Sequence, residues 1–152
     1  MKLQRIDPLA AERRCRELFA QHGLDAWQLR FNQAARQCGK CSYRTRTITL
    51  SIWQPGGCFE DTLLHEIAHA LTPGAGHGHQ WKLKCLELGC KPQACESMSS
   101  ATDLPEELKR YRVYCSKCNK TSSASTHPRR NYIHRVSRCC HATLNQEKLS
   151  CT

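Results

Sequence analysis

Apolar positions near the start of the chain recur at the spacing of an α-helix. Asp7 has the short acceptor side chain of a helix N-cap, and Pro8 suits the first helical position, where no backbone N–H is needed. The apolar face consists of Leu9, Cys15, Leu18 and Phe19. The pattern therefore predicts an amphipathic helix that begins at Pro8 and ends near Gly23.

Two later segments alternate between apolar and polar residues, which indicates β-strands. They run from Trp27 to Phe31 and from Arg46 to Ile52. The segment QCGKCSYR between them, residues 37–44, is interpreted as the connecting turn. Its Cys38 and Cys41 form a C-x-x-C pair without a matching second pair, so a turn is favoured over a ligand set or a redox pair.

Two further helices are predicted in the middle of the chain. The break at residues 55–57, PGG, precedes Glu60 and Asp61, whose negative charges suit the first turn of a helix. This helix should continue to about Leu71 and be followed by a loop at residues 73–76. The next helix begins at residue 79 or 80, ends at Leu88 and is stopped by Gly89.

The composition changes in the last third of the chain. Residues 91–104 are polar and are interpreted as a linker, and residues 105–109 suit a short helical turn. From Tyr111 onwards the chain is rich in Cys, basic and Ser/Thr residues, with little apolar periodicity. Such a segment needs a metal ion to stabilise it. The expected domains are residues 5–104 and a basic, zinc-ribbon-like subdomain at residues 105–152.

Charge is distributed unevenly along the 152 residues, whose formal net charge is +10. Residues 1–58 have a net charge of +6, residues 59–104 of −3 and residues 105–152 of +7. Clustered Lys and Arg favour a polyanionic partner such as nucleic acid, because phosphate neutralisation releases counterions. The alternative is a basic surface that only keeps the protein in solution.

The twelve cysteines raise the question of a secreted, disulfide-bonded protein. The first 23 residues are charged and amphipathic, without the apolar region of a signal peptide, and no apolar run approaches membrane-spanning length. A cytoplasmic monomer with reduced, partly metal-bound thiols is therefore expected, associated with the nucleoid or nuclear if it binds DNA. The cysteines interpreted mostly as small buried apolar residues are Cys15, Cys58, Cys85, Cys90 and Cys95.

An H-E-x-x-H motif at residues 65–69 lies on the predicted middle helix. Residues four positions apart share one helix face, so His65 and His69 can bind the same ion. Glu66 can then act as general base towards water activated by the metal. The flanking residues are apolar, so two histidines and a glutamate would be costly to bury without a function. The motif therefore predicts a catalytic zinc site.

A site of this kind needs a third protein ligand, and the glycine-rich loop offers two candidates. His77 lies between Gly76 and Gly78, where the backbone can bend freely, and it is favoured. His79 is the alternative, although it lies near the start of the next helix. The metzincin pattern does not fit, because Thr72 and Ala75 occupy the positions of its glycine and third histidine.

These residues resemble the SprT-like zinc metallopeptidase family. The segment LLHEIAHAL…GHGHQWKLKC is similar to the family pattern of H-E-x-x-H, a short loop, and G-H-G followed by an aromatic residue, here Trp81. Residues 31–51 are similar to the segment that precedes the active-site helix. The resemblance implies an α+β, zincin-like fold, with helices packed on a small, mainly antiparallel sheet. It also implies zinc, peptide-bond hydrolysis and a C-terminal zinc ribbon.

The C-terminal segment contains candidate ligands for a second, structural zinc ion. Cys115 and Cys118 form a C-x-x-C knuckle, and Cys139 and Cys140 lie about twenty residues further on. Cys140 is the stronger candidate of this second pair, because CHATL resembles the end of the family's ribbon. The remaining ligand is assigned to Cys139, with His134 and His141 as alternatives.

Basic residues surround an aromatic residue between the two cysteine pairs. They are Arg129, Arg130, Tyr132, Arg135 and Arg138. This combination suits phosphate contact and base stacking on single-stranded DNA, without recognition of sequence. A solvated surface is the alternative.

The leading hypothesis is a zinc metallopeptidase acting on DNA-bound or DNA-crosslinked proteins. A non-catalytic, zinc-containing nucleic-acid-binding module is the alternative, and an intact Glu66 counts against it. A thiol-redox protein lacks the expected strand-to-helix context. Tyr43 and His79 are the candidates for an oxyanion donor, and the sequence does not decide between them.

Overall fold

The computed structural model describes residues 3–93 and 104–149, which form two compact units. The first unit lies in residues 3–93 and the second in residues 104–149. The predicted boundary between residues 104 and 105 stays a prediction. Together the units contain α-helices and small β-sheets, so the α+β class is confirmed. None of the helices among the described residues is long and apolar enough to cross a membrane.

The three α-helices lie in the first unit and agree with the sequence patterns. They are α1 (Pro8–Gln21), α2 (Phe59–Leu71) and α3 (His79–Leu88). Asp7 caps α1 as predicted, because its Oδ1 accepts a hydrogen bond of 3.1 Å from the backbone N–H of Leu9. Gly89 ends α3 with φ +79°, a left-handed conformation in which glycine carries no steric penalty.

The first unit has two small sheets. One pairs β1 (Leu3–Arg5) with β5 (Trp53–Pro55), and neither strand was expected from the sequence. The other has the order β2-β4-β3, where β2 is Gln28–Asn32, β3 is Gly39–Ser42 and β4 is Thr47–Ser51. β2 runs parallel to β4, whereas β3 runs antiparallel to it. The predicted strands correspond to β2 and β4, which are confirmed.

The interpretation of residues 37–44 as a connecting turn was wrong in its centre. Gly39–Ser42 forms strand β3, with Gly39 opposite Leu50 and Ser42 opposite Thr47. The segment has no apolar alternation of its own, so pairing with the buried strand β4 overrides its local preference. β3 thereby becomes one of the two edge strands of this sheet among the described residues.

Helices and sheet enclose one hydrophobic core in the first unit. Its fully buried side chains come from every helix and from β4: Cys15, Phe19, Ile48, Leu50, Leu63, Ile67, Trp81 and Cys85. Cys90 is buried as well, whereas Cys58 is only half-buried and Cys95 lies outside the described residues. The prediction that these cysteines are small apolar residues is confirmed for Cys15, Cys85 and Cys90.

The second unit begins with a 3₁₀ turn at Glu106–Leu108, as expected, and continues as an antiparallel sheet. The strands are β6 (Tyr111–Cys115), β7 (Thr121–Ser125) and β8 (Leu144–Lys148), in the order β7-β6-β8. Its few buried apolar residues are Leu104, Leu108, Val113 and Cys115. So small a core agrees with the expectation that this unit needs an additional cross-link.

Candidate metal centre

Three imidazoles from α2 and the following loop converge on one point. The Nε2 atom of His77 is 3.1 Å from Nε2 of His69 and 3.3 Å from Nε2 of His65. Nitrogen ligands about 2.0–2.1 Å from a tetrahedral zinc ion are roughly 3.3 Å from one another. The spacing and the chemistry of these three donors therefore fit a zinc ion.

The glycine-rich loop returns the chain towards α2. Gly74 and Gly76 have φ values of +80° and +54°, which a residue with a side chain rarely adopts. The backbone N–H of Ala75 donates to the carbonyl of Thr72, at 3.1 Å, and so stabilises the bend. This bend brings His77 to the other two histidines. His79 is exposed at the first position of α3 and does not belong to the cluster.

The first two histidines have a low proton affinity. Burial, followed by the neighbouring His69 and His77, lowers the pKa of His65 to about 4. Burial and His77 likewise lower the pKa of His69 to about 4. Both rings are therefore neutral at pH 7, and a neutral imidazole has the free lone pair that a metal ligand requires.

Trp81 of α3 packs against all three imidazole rings. Its ring centroid is 4.7 Å from that of His65, 5.2 Å from that of His69 and 4.6 Å from that of His77. The ring of His69 is nearly parallel to the indole, whereas the other two approach it edge-on. Because Trp81 is fully buried, its indole forms a rigid apolar base under the ligand cluster.

Glu66 lies on the side of α2 that faces the edge strand β3. Its side chain is buried, at 6% exposure. Its charge affects Cys41 of β3: burial and then the charge of Glu66 raise the pKa of the Cys41 thiol to about 12. The carboxylate thus lies between α2 and β3, and Glu66 directly follows His65 in the chain.

An open cavity of about 590 Å³ gives access to the histidines and to Glu66. Residues 36–41 and Tyr43 form one wall, and His65, Glu66, His69 and the loop with His77 form the other. Arg36 and Lys40 are exposed at this cavity. Three converging histidines at an open cavity leave room for a further ligand, as a closed site of four protein ligands would not.

Tyr43 lines the cavity, but its hydroxyl group is already engaged. The Oη atom donates a hydrogen bond of 2.7 Å to the backbone carbonyl of His69, at the end of α2. A phenol has a single proton to donate. Tyr43 would have to break this bond before it could stabilise an oxyanion, so its position favours a structural role.

Four cysteines of the second unit also converge. Cys115, Cys118, Cys139 and Cys140 bring their sulfur atoms within 4.8 Å of one another, and the Sγ atoms of Cys118 and Cys139 are 3.4 Å apart. A hydrogen bond from Ser137, followed by one from the backbone of Cys118, lowers the pKa of Cys115 to about 6. Four sulfur donors at this spacing are compatible with a structural zinc ion.

A sharp turn follows each cysteine pair and allows the adjacent Cys139 and Cys140 to join the same cluster. Asn119 follows Cys118 with φ +60°, and His141 follows Cys140 with φ +50°. The second turn is closed by the backbone N–H of His141, which donates to the carbonyl of Ser137 at 3.0 Å. Because of this turn both adjacent cysteines face the cluster, whereas His134 and His141 do not belong to it.

The basic residues of the second unit are mostly solvent-exposed. Arg130, Arg135 and Arg138 are exposed, whereas Arg129 and Tyr132 are half-buried. Arg138 lines a cavity of about 300 Å³ beside Cys139, together with Lys120 and the hydroxyl-bearing Thr121 and Ser122. Lys120 was not among the predicted DNA-contacting residues, because it lies just before β7 and far in sequence from Arg138.

Residues of β3 were also missed, because the sequence indicated a turn there. Gly39 and Cys41 line the cavity because β3 pairs with β4, and such a pairing is a long-range feature. The spacing of Cys38 and Cys41 is that of a possible pair of metal ligands. Among the described residues, neither belongs to the group of three histidines or to the group of four cysteines.

A comparison with protein-family models supports the candidate site. The model of the SprT-like family matches residues 11–106, which include α2, the histidine-bearing loop and α3. A comparison with curated proteins gives no match. The matched segment covers more than half of the chain and contains His65, Glu66, His69 and His77, so the chain belongs to the SprT-like family.

Proposed function

We propose that the first unit is a zinc-dependent metallopeptidase and that the second unit holds a structural zinc ion. The observation that carries this proposal is a buried carboxylate, Glu66, beside three converging imidazoles at an open cavity. A purely structural zinc site is closed by four protein ligands and has no use for a general base. A catalytic site instead combines three protein ligands, a base and room for a substrate.

In this proposal His65, His69 and His77 hold the catalytic zinc. When bound, zinc supplies Lewis-acid chemistry: it lowers the pKa of water to about 7 and polarises a peptide carbonyl. The carboxylate of Glu66 accepts the proton that the attacking water loses. As the C–N bond breaks, the same carboxyl group gives that proton to the nitrogen of the leaving amine, so Glu66 returns to its starting state.

The edge strand β3 is the proposed binding surface for the peptide. It is an edge strand of the described sheet, and its residues form one wall of the cavity that contains the histidines. An edge strand offers backbone N–H and C=O groups to an extended peptide segment. The substrate is therefore proposed to be an unfolded or extended stretch of protein rather than a folded surface.

We further propose that the substrates are DNA-associated or DNA-crosslinked proteins. The support is the net charge of +7 in residues 105–152 and the exposed arginines near the cysteine cluster. Lys120, Arg138 and two hydroxyl groups share one cavity, a combination that suits phosphate oxygens. Contacts of this type bind single-stranded DNA without sequence preference and weaken with salt.

The alternative is a non-catalytic, zinc-containing nucleic-acid-binding module. The cysteine cluster and its neighbouring cations favour it as much as they favour the peptidase. Glu66 separates the two functions, because only a peptidase depends on its carboxylate.

The test measures cleavage of a DNA-bound protein by wild type and by Glu66→Gln, with and without single-stranded DNA. We expect about two zinc ions per chain in both proteins and a loss of cleavage of about 10²-fold or more in the variant. Glu60→Gln is the matched control, because Glu60 lies on the same helix but is only half-buried and is paired with Arg14. Equal cleavage by wild type and Glu66→Gln would remove the peptidase mechanism.

A second measurement addresses the DNA partner. Binding of a fluorescent single-stranded oligonucleotide should weaken with increasing salt, and Arg138→Ala should reduce both the affinity and the salt dependence. Arg13→Ala, an exposed cation of the first unit, is the matched control. Unchanged binding in Arg138→Ala would exclude the cavity beside Cys139 from DNA contact.

A further inference from the structure

Strand β3 and helix α2 approach each other closely at a glycine. A Cβ atom placed on Gly39 would lie 2.6 Å from Oε1, 2.7 Å from Cγ and 3.0 Å from Cδ of Glu66. Real Cβ atoms essentially never approach other heavy atoms within 3.0 Å. The side chain of Glu66 therefore fills the volume that any other residue at position 39 would occupy.

Neither partner can move away easily. On the strand side, the carbonyl of Cys38 accepts hydrogen bonds from the backbone N–H of Ser51, at 2.8 Å, and from Nε2 of Gln54, at 2.9 Å. Gly39 itself is paired with Leu50, which is fully buried. The backbone of β3 is therefore fixed on β4 immediately beside the contact.

The helix side is equally constrained. Ile67 and Ala68 follow Glu66 on α2, and both have no solvent-exposed surface. In a close-packed core, shifting a helix to make room for even one added methyl group is costly. An added methyl at position 39 would therefore displace the carboxylate of Glu66 rather than the backbone of either element.

The glycine is required for space and not for conformation. Gly39 does not belong to the glycines with positive φ, which are Gly23, Gly57, Gly74, Gly76 and Gly89. An alanine at position 39 would therefore suffer no backbone strain of its own. A steric effect of the substitution can then be attributed to the contact with Glu66, whose atoms are the nearest to the added methyl group.

We infer that Gly39 is a positioning residue for the general base: its missing side chain leaves the space that holds the carboxylate of Glu66 in the cavity lined by the three histidines. This inference rests on the proposed function for its catalytic part. The steric part concerns only the contact between position 39 and the side chain of Glu66, and it can be tested without an activity assay.

The steric test measures thermal unfolding of Gly39→Ala in three backgrounds. Overpacking should lower the Tm of wild type by about 5–15 °C. Glu66→Gln has the same shape as glutamate, so Gly39→Ala should lower its Tm by a similar amount. Glu66→Ala lacks the Cγ, Cδ and carboxylate atoms, so Gly39→Ala should there be neutral or slightly stabilising.

The catalytic test uses the same Gly39→Ala protein in the cleavage assay. We expect kcat to fall by about 10²-fold while KM and the zinc content stay near the wild-type values, because only the base is displaced. Gly56→Ala is the matched control. Gly56 has no positive φ, and its Cβ would meet only the end of the Gln4 side chain, at 3.3 Å or more.

The possible results separate the two proposals. An equal loss of Tm in all three backgrounds would overturn the inference, because the clash would not involve Glu66. Wild-type kcat in a Gly39→Ala protein that shows the expected Tm pattern would overturn its catalytic part. If wild type cleaves no protein at all but the Tm pattern appears, the steric inference stands and the proposed peptidase function fails.

Discussion

Replacement of Trp81 by alanine is expected to weaken both the fold of the first unit and its metal site. The indole is fully buried and lies within 5.2 Å, between ring centroids, of all three histidines. Removing a buried tryptophan leaves a cavity and destabilises a protein by about 3–5 kcal/mol. In this protein the cavity would open directly beneath the ligand rings, so the two effects should occur together.

The effect on zinc follows from the ring contacts. Groups that orient metal ligands typically change metal affinity by about 10–100-fold when they are removed, equivalent to roughly 1.4–2.8 kcal/mol. Trp81→Ala should weaken zinc binding by about this amount. Trp81→Phe keeps an aromatic ring, and it removes no hydrogen bond, because Nε1 of Trp81 forms none with the described residues. Its affinity should therefore lie closer to that of wild type.

The assay combines urea unfolding of the metal-loaded protein with zinc competition against a chelator. Trp53→Phe is the matched control, because Trp53 is also buried and its Nε1 also makes no hydrogen bond with the described residues. It has no ring contact with the histidines, so only its stability should change. The reasoning would be refuted if Trp81→Ala lowered stability but bound zinc as tightly as Trp53→Phe.

Three further outcomes are expected. Asp7→Ala should reduce stability by about 1 kcal/mol and Asp7→Asn by less, measured from urea midpoints, because Asn can still cap α1. Tyr43→Phe should reduce stability by roughly 0.5–1.5 kcal/mol and leave kcat nearly unchanged, because the hydroxyl is bonded to the His69 carbonyl. A 10²-fold loss of kcat would instead make Tyr43 an oxyanion donor. Chelation should increase amide hydrogen exchange in the second unit much more than in the first, which retains its apolar core; equal increases in both units would contradict this.

Much of the candidate site follows from local sequence. The spacing of His65 and His69 places both rings on one face of α2, whatever the rest of the fold does. Helix signals are equally local, because capping by Asp7 and termination at Gly89 depend on adjacent backbone groups. These features could be predicted because the atoms that determine them lie within a few residues of one another.

Which residues complete the histidine cluster and the cysteine cluster depends on loop geometry that a sequence pattern does not determine. His77 and His79 are only two residues apart, and the bend at Gly74 and Gly76 decides that His77 reaches the cluster. For the cysteine cluster, the turn closed by the backbone of His141 lets both adjacent cysteines face the other two. In each case the residue type was known and only the backbone path was not.

By itself, the sequence determined the residue types of the site, the helix that carries two of the histidines, and the basic character of the C-terminal segment. The tertiary structure alone decided that residues 39–42 form the edge strand β3, and that Gly39 lies against Glu66. The physical reason is the range of the interactions. Helix periodicity and capping act between neighbours in the chain, whereas strand pairing and the contact between a strand and a helix join residues that only folding brings together.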